Sequence, residues 1–126
     1  MKRIVTMQDI SCIGKCSLTV ALPIISAMGI ETAVIPTAVL STHTGFSDFT
    51  FRDLTEDIPK IIEHWSKEGF ELDAVYSGYL GSLRQIELVR ELFCRFHPAL
   101  RFVDPTMADD GKLYTGFDQK FVQAMA

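Results

Sequence analysis

The stretch DAVYSGYLGSLRQIELVRELFCRF, residues 73–96, passes from a β-rich run through a glycine-bracketed turn into a helical pattern. Residues 73–77 have the apolar and aromatic side chains typical of a short strand. From residue 82 onward the apolar side chains recur at helical spacing, at Ile86, Val89, Leu92, Phe93 and Phe96. A strand, a tight turn and a helix in this order predict one unit of a parallel α/β sheet.

The same alternation continues on both sides of this unit. Further strands are predicted at residues 3–8, 32–38 and 100–103, and further helices at residues 17–28, 55–68 and from 117 onward. Pro36 predicts that the second strand lies at an edge or beside a bulge. Residues 41–53, STHTGFSDFTFRD, are polar and aromatic and predict a loop leading into a short β-flap. The whole chain is thus expected to form a mostly parallel sheet covered by helices.

Composition limits the classes of function. The chain has 126 residues, 22% charged, with a formal net charge of -4, and no cluster of Lys and Arg that tracks a phosphate backbone, so no nucleic-acid partner is expected. No apolar run approaches a membrane span and the N-terminus is too polar for a signal peptide, so a cytoplasmic protein is expected.

Cys12, Cys16 and Cys94 lack a pattern for zinc and are expected to be buried or half-buried thiols, with Cys12 nearest to a ligand.

Four polar segments follow the predicted strands. They cover residues 9–15, 41–45, 77–82 and 104–111. Because ligands bind outside the carboxyl ends of the strands in open parallel sheets, these segments are expected to meet at one edge and to form one site.

Two of these segments offer groups suited to a planar ring. In SGYLGS, residues 77–82, the glycines allow close backbone approach and Tyr79 is placed to lie against a ring, although a βα turn with a packed tyrosine also explains the pattern. In STHTGF, residues 41–46, His43 is placed to stack on or bond to a heteroaromatic ring, or to serve as a plain polar group of the loop.

The other two segments offer charges. Three carboxylates in DPTMADDGKLY, at Asp104, Asp109 and Asp110, suit Mg²⁺, which takes a few carboxylates together with substrate phosphates, but Asp-Asp-Gly is also an ordinary turn. In QDISCIGKCS, Asp9 is placed to accept from a ring N–H and Lys15 to meet a phosphate, or the segment caps the next helix.

Taken together, Gln8 at the end of the first strand, STHTG, SGYLGS and DPTMADDGKLY resemble in order and spacing the N-terminal half of pyridoxal (pyridoxine/pyridoxamine) kinases of the ribokinase-like superfamily. The resemblance covers residues 3–116 and is most specific in SGYLGS and DP-x-M-x-D-x-G-x-LY. It implies a ribokinase-like three-layer α/β/α sandwich with a mostly parallel sheet, here incomplete. Residues 1–126 are then the substrate-binding half, with a flap at about residues 41–53.

The resemblance also implies roles for single residues. The implied substrate-binding residues are Asp9, His43, Thr44, Gly45 and Tyr79. Asp9 is the one that forms a hydrogen bond with the pyridine ring. The implied nucleotide-binding residues are Asp104, Asp109 and Tyr114, with Asp104 also directed toward a metal. The implied reaction transfers the γ-phosphoryl group of ATP to the 5′-hydroxymethyl group of a vitamin B6 vitamer, with Mg²⁺ neutralising charge.

Two departures from the family pattern change what is expected. Many pyridoxal kinases have a serine where this chain has Asp9, and the hydroxymethylpyrimidine kinases have an aspartate in a comparable place, so such a kinase is an alternative. The family's catalytic aspartate lies in a GTGD segment, and no Gly-x-Gly-Asp occurs in this sequence. No catalytic residue is therefore assigned, and the isolated chain is expected to be inactive.

Two expectations concern partners and class. An incomplete sheet is expected to expose a strand edge that pairs with the missing C-terminal half or with a copy of the chain, and the family resemblance implies a homodimer with the flap near its interface. The alternative from another class is a non-catalytic α/β binding module, in which the acidic residues 104–110 only form turns.

Overall fold

Strands and helices alternate largely as predicted in the computed structural model, which describes residues 2–126. The strands are β1 Arg3–Ile13, β2 Glu31–Thr42, β3 Phe51–Asp53, β4 Ala74–Ser77, β5 Leu100–Val103, β6 Ala108–Asp109 and β7 Lys112–Leu113. The helices are α1 Leu18–Ala27, α2 Ile58–Lys67, α3 Leu83–Phe96 and α4 Gln119–Met125, with a 3-10 turn at Thr55–Asp57 before α2. The two strands β6 and β7 were not predicted from the sequence.

The main sheet has the strand order β3-β2-β1-β4-β5. Strands β2, β1, β4 and β5 are parallel, and only β3, in the flap, is antiparallel to its neighbour β2. Helix α1 connects β1 to β2, whereas α2 carries the chain back across β1 to β4. Right-handed crossovers in opposite directions place α1 on one face of the sheet and α2 and α3 on the other.

The main core lies between the sheet and helices α2, α3 and α4. Alternate strand residues point into it, among them Val5, Met7, Ile35 and Val75, and they meet Ile58, Ile62, Leu88, Leu92 and Phe121 from the helices. Because successive strand residues point to opposite faces, the side chains of Thr6 and Gln8 lie on the α1 side. Burying one such aliphatic side chain stabilises the fold by roughly 1.5–3 kcal/mol, so this layer holds the carboxyl edge of the sheet in place.

The first two strands extend beyond their predicted ends. They pair from Arg3 opposite Glu31 to Ile13 opposite Thr42, and the register shifts between Gln8 and Ile10. At this shift one residue of β1, Asp9, lies opposite two residues of β2, Thr37 and Ala38, so the extra residue of this β-bulge belongs to β2.

The predicted irregularity at Pro36 is confirmed. Pro36 pairs with Gln8, directly before the bulge. On its other side β2 contacts β3 only at Ala38, Val39 and Leu40, so Pro36 lies where β2 has a single neighbour. A proline is tolerated there because its missing N–H removes no bond from the ladder.

Strand β5 forms an exposed edge of the sheet. It pairs with β4 alone, and Leu100, Phe102 and Val103 are 58%, 56% and 41% exposed. The predicted open edge is therefore present, and apolar side chains lie on both of its faces. Within residues 2–126, no helix has the length and the hydropathy required to cross a bilayer.

Candidate functional site

A cavity of about 820 Å³ opens at the carboxyl edge of the sheet. All four polar segments reach it, with Asp9 from β1, His43 from the flap, Tyr79 from the turn after β4, and Asp109 from the β6–β7 hairpin. The volume is in the range of small-molecule sites. The four segments that the sequence places after strands thus meet around one space.

Asp9 lies in β1 opposite the bulge of β2 and is 4% exposed. Its Oδ1 accepts a hydrogen bond from Ser17 Oγ at 2.6 Å, and its Oδ2 accepts one from Ser11 Oγ at 3.0 Å. The prediction that residue 9 begins a loop is wrong, because β1 continues in partnership with the extended β2. The capping alternative is also wrong, since no side chain caps α1 and the hydroxyl of Ser17 bonds to Asp9 instead.

The Asp9 carboxylate has no cationic partner within residues 2–126. None of the ion pairs in that range includes it, and it is the only acidic side chain there that is buried. Buried carboxylates are rare without a counter-charge. A negative charge that faces a cavity suits a ligand bringing a cation or an N–H donor.

The ring of Tyr79 shares this cavity with Asp9. Burial, and secondly the neighbouring Asp9 carboxylate, raise the pKa of the Tyr79 phenol above its ordinary value. The ring lies 5.7 Å from the ring of Phe117. Tyr79 therefore presents a protonated phenol and an aromatic surface to the cavity.

The flap contributes His43 and Thr44. The His43 Nδ1 accepts from the Gly45 backbone N–H at 3.0 Å, and the imidazole lies 4.8 Å from the Phe46 ring. A Cβ atom at either Gly14 or Gly45 would collide with the imidazole. Thr44 lines the cavity directly, whereas Gly45 does not, and Gly45 acts on the site by holding His43.

The SGYLGS turn is held by the side chain of Gln85, a buried residue that the sequence reading did not identify. Its Oε1 accepts from the Gly81 N–H at 2.7 Å, and its Nε2 donates to the Thr37 carbonyl at 3.2 Å and to Thr55 Oγ1 at 2.9 Å. An amide on the buried face of α3, next to Ile86, was the available signal. Gln85 ties the turn carrying Tyr79 to β2 and to the start of α2.

The hairpin of β6 and β7 positions Asp109 and Tyr114. The Tyr114 hydroxyl donates to Asp109 Oδ2 at 3.0 Å, and both residues line the cavity. Asp110 and Gly111 form the two-residue turn with φ angles of 47° and 76°, as a type I′ hairpin requires. The turn interpretation of Asp-Asp-Gly is confirmed, and it leaves Asp109 facing the site.

Asp104 lies outside this cavity. It lines a neighbouring cavity of about 530 Å³ with Gln8, Lys15 and Tyr76. Its backbone N–H donates to the Ser77 carbonyl at 2.9 Å, which holds the exposed carboxylate at the end of β5. The site residues implied by the resemblance are thus divided between two adjoining cavities.

Asp104, Asp109 and Asp110 do not form a three-carboxylate cluster in the described part of the chain. Across residues 2–126, no three His, Cys, Asp or Glu side chains come close enough together to hold a metal ion. Asp109 accepts a hydrogen bond from Tyr114 in the larger cavity, whereas Asp104 lines the neighbouring one. One carboxylate with phosphate oxygens and water remains compatible with the way proteins bind Mg²⁺.

Two of the three cysteines differ from expectation. Cys12 and Cys94 are exposed, whereas Cys16 is half-buried as expected and, unlike Cys12, lines the cavity. Asp9 and Ser11 are both buried on one face of β1, so the strand alternation turns Cys12 outward.

Known proteins are similar to nearly the whole of this chain. No protein-family model matches it. A "putative pyridoxal kinase" of Schizosaccharomyces pombe is 30% identical over 119 residues, which cover 90% of this chain and 38% of that protein.

Two solved structures have the same fold. A "putative phosphomethylpyrimidine kinase" of Bacteroides thetaiotaomicron, crystallised with pyridoxal, is 46% identical with a TM-score of 0.93 and covers 98% of this chain and 44% of its own. The pyridoxal kinase of Lactobacillus plantarum is 34% identical with a TM-score of 0.94, covering 99% of this chain and 45% of its own.

The sheet, its helices and these similarities define a chain of the ribokinase-like α/β fold. Within that fold, the resemblance to pyridoxal kinases is confirmed over nearly the whole chain. The chain spans less than half the length of the relatives it matches.

Proposed function

We propose that this chain provides the substrate-binding part of a kinase that transfers the γ-phosphoryl group of ATP to the 5′-hydroxymethyl group of a vitamin B6 vitamer. The observation that carries the proposal is the buried Asp9 carboxylate, which faces a cavity beside Tyr79 and has no cation within residues 2–126. A pyridinium ring brings both the N–H donor and the flat surface that these two side chains accept. Relatives described as pyridoxal kinases support the substrate class.

The residues of the larger cavity have separate roles in this proposal. Asp9 accepts the N–H of the ring, and Tyr79 lies against the face of the ring. Thr44 and His43 bond the ring substituents, with Gly45 holding the imidazole. Together they orient the hydroxymethyl group, and orientation of this kind lowers the barrier by reducing the entropy lost in reaching the transition state.

The nucleotide side consists of Asp104, Asp109 and Tyr114. Asp104 lines the cavity adjoining the ring site, together with Lys15, which is placed to meet a phosphate. Mg²⁺, held by Asp104 and by phosphate oxygens, would neutralise charge on the transferring group. Asp109 and Tyr114 act as one hydrogen-bonded pair on the ring side of the nucleotide.

We further propose that the 126 residues alone do not catalyse the reaction. Phosphoryl transfer of this kind needs a group that accepts the hydroxyl proton and donors that stabilise the developing charge. The family's segment for both, GTGD, has no counterpart in this sequence. Binding without turnover is therefore the expected behaviour.

The test titrates the 126-residue chain with pyridoxal and pyridoxamine in a calorimeter and assays the same chain with Mg·ATP. We expect binding of both vitamers and no phosphorylated product. Asp9→Asn is expected to weaken binding by about tenfold to a hundredfold, because it replaces the charged acceptor of the ring N–H by a neutral one. Asp57→Asn, an exposed aspartate outside both cavities, is the matched control and is expected to bind as the parent does.

Turnover by the chain alone would contradict the assignment of the catalytic step to residues outside it. Equal vitamer affinity of the Asp9→Asn variant and the parent would remove Asp9 from the site. Absence of any vitamer binding would favour the non-catalytic module.

A hydroxymethylpyrimidine kinase is the second candidate. Asp9 favours it, because an aminopyrimidine also offers N–H donors, and so does the description of the Bacteroides thetaiotaomicron protein. Calorimetric titration with hydroxymethylpyrimidine beside pyridoxamine separates the two candidates, because the preferred substrate is expected to bind more tightly by about tenfold or more.

For its setting, we propose a cytoplasmic protein that pairs with the missing C-terminal half of the kinase or with a second copy. The exposed β5 edge supports the first partner. Exposed Phe46 and Phe51 on the flap support a homodimer contact there.

A further inference from the structure

The Asp9 carboxylate is held by two serine hydroxyls. Ser17 Oγ donates to one oxygen at 2.6 Å and Ser11 Oγ to the other at 3.0 Å. Each carboxylate oxygen has two lone-pair sites, so each keeps one after bonding to its serine. Because Asp9 also lines the cavity, the remaining sites are available to a ligand.

These two bonds fix the direction of the carboxylate. Ser11 is only 1% exposed. Bulk water therefore does not compete with Asp9 for the hydrogen bond of its hydroxyl. Ser17 directly precedes α1, whose first-turn N–H groups form the positive end of the helix and favour a nearby negative charge. The helix dipole and the two hydroxyls thereby stabilise the carboxylate without neutralising it, so its negative charge is available to a ligand.

The backbone of Ser17 gives a second, independent indication. Its φ and ψ angles are 54° and -128°, a region that glycine populates readily and that a residue with a Cβ avoids. Gly14 and Lys15 in the same turn also have positive φ angles. Glycine would adopt this backbone conformation with less strain. The hydrogen bond from the Ser17 hydroxyl to Asp9 explains why a serine occupies the position.

We propose that Ser11 and Ser17 are positioning residues that hold Asp9 in the plane of a bound ring, and that they thereby set the preference of the cavity for rings whose nitrogen carries a proton. This inference rests on the proposed function and deepens it. Both serines also line the cavity, and in this proposal they act on the ligand through Asp9.

The test compares two ligands on the 126-residue chain. One is pyridoxine, and the other is its benzene counterpart, in which a C–H replaces the ring nitrogen. The parent chain is expected to favour pyridoxine by about tenfold or more, the worth of one hydrogen bond to a charged group. Ser11→Ala and Ser17→Gly are expected to reduce this preference to about twofold while leaving affinity for the benzene counterpart unchanged.

Ser17→Gly keeps the test independent of folding, because glycine relaxes the backbone at this position and is expected to preserve the thermal midpoint. Ser26→Ala is the matched control. It removes an exposed hydroxyl of α1 that bonds only to Thr32, and it is expected to keep the full preference for pyridoxine.

Three results separate the possibilities. Loss of preference with unchanged affinity for the benzene counterpart supports the inference. Equal weakening of both ligands in the serine variants, or an undiminished preference, overturns it and leaves the proposed function standing. If the parent chain binds neither ligand, the proposed function fails and this inference fails with it.

Discussion

All three tyrosines of the chain lie near carboxylates of the two cavities. Burial raises the pKa of Tyr76, Tyr79 and Tyr114 above the ordinary value of 10.0. The Asp104 carboxylate adds to this effect at Tyr76 and the Asp9 carboxylate does so at Tyr79. Each phenol therefore remains a neutral hydrogen-bond donor throughout the neutral range.

A tyrosinate absorbance titration tests these directions. Because the folded chain holds the three protons more tightly than the unfolded chain, the phenols stabilise the fold below pH ~10, and this stabilisation is lost as the pH rises through the folded-state pKa values. We expect the folded chain to titrate above its denatured form, which returns to about 10 in strong denaturant. A tyrosine of the folded chain that titrates at the denatured value would contradict the raised pKa values. Tyr79→Phe should remove one titrating phenol while the pKa values of Tyr76 and Tyr114 stay raised.

At this scale, the sequence identified the chemistry of the site better than its geometry. Asp9 and Tyr79 were recognisable because a carboxylate and a glycine-flanked tyrosine follow predicted strands. The bulge of β2 opposite Asp9 was not predictable, since it depends on the register between β1 and β2. The serines that bond to Asp9 were missed for the same reason, as Ser17 reaches it only after the turn at residues 14–17 folds back.

Among the elements, the β6–β7 hairpin is the one on which the nucleotide side depends. Gly111→Ala places a Cβ at a φ angle of 76° and is expected to cost about 1 kcal/mol of stability. It is also expected to separate Asp109 from Tyr114. Thermal unfolding and ADP titration of the variant measure both effects.

Asp110→Asn is the matched control for the hairpin. Asparagine tolerates the left-handed conformation that Asp110 adopts, with φ of 47°, so this variant is expected to unfold and bind as the parent does. Equal stability of the Gly111→Ala variant and the parent would mean that the hairpin does not depend on its turn.

The sequence predicted the elements that have a repeating hydrophobic pattern. It did not predict the strands that form only by pairing with a particular neighbour. The helical spacing of α3 predicted its buried face, including Ile86, Val89 and Leu92. The two-residue strands β6 and β7 exist only as a pair, and no two-residue segment has a periodicity of its own. The lengths of β1 and β2 were underestimated, because each strand continues as far as the other forms hydrogen bonds with it.

For the molecule as a whole, the open β5 edge is the feature with the largest expected consequence. Leu100, Phe102 and Val103 leave apolar surface on both faces of a strand whose outer edge is open, which favours association with another chain. We expect the isolated chain to self-associate in light scattering as its concentration rises. Phe102→Lys is expected to shift the population toward monomer, because a lysine on an edge strand opposes pairing.

Ile13→Lys is the matched control for this change. Ile13 is more exposed than Phe102 but lies on β1, so the same charge at that position is expected to leave association unchanged. A parent chain that stays monomeric at all concentrations would contradict the role given to the β5 edge.

The parallel order of the strands was predictable from the alternation of strands and helices together with right-handed crossovers. The division of the polar residues between two cavities was not, since it depends on where the β6–β7 hairpin folds. Asp104 and Asp109 are close in sequence and nevertheless line different cavities.

The imidazole of His43 constrains how this chain can diverge. Its ring occupies the space that a side chain at Gly14 or at Gly45 would need. Gly14 is further restricted by its φ angle of 127°, whereas Gly45 is restricted by the ring alone. An alanine at position 45 is therefore harmful while His43 is present and tolerated once a smaller residue replaces it. The two positions form an epistatic pair, and an evolutionary path that widens the flap side of the cavity must change residue 43 before residue 45.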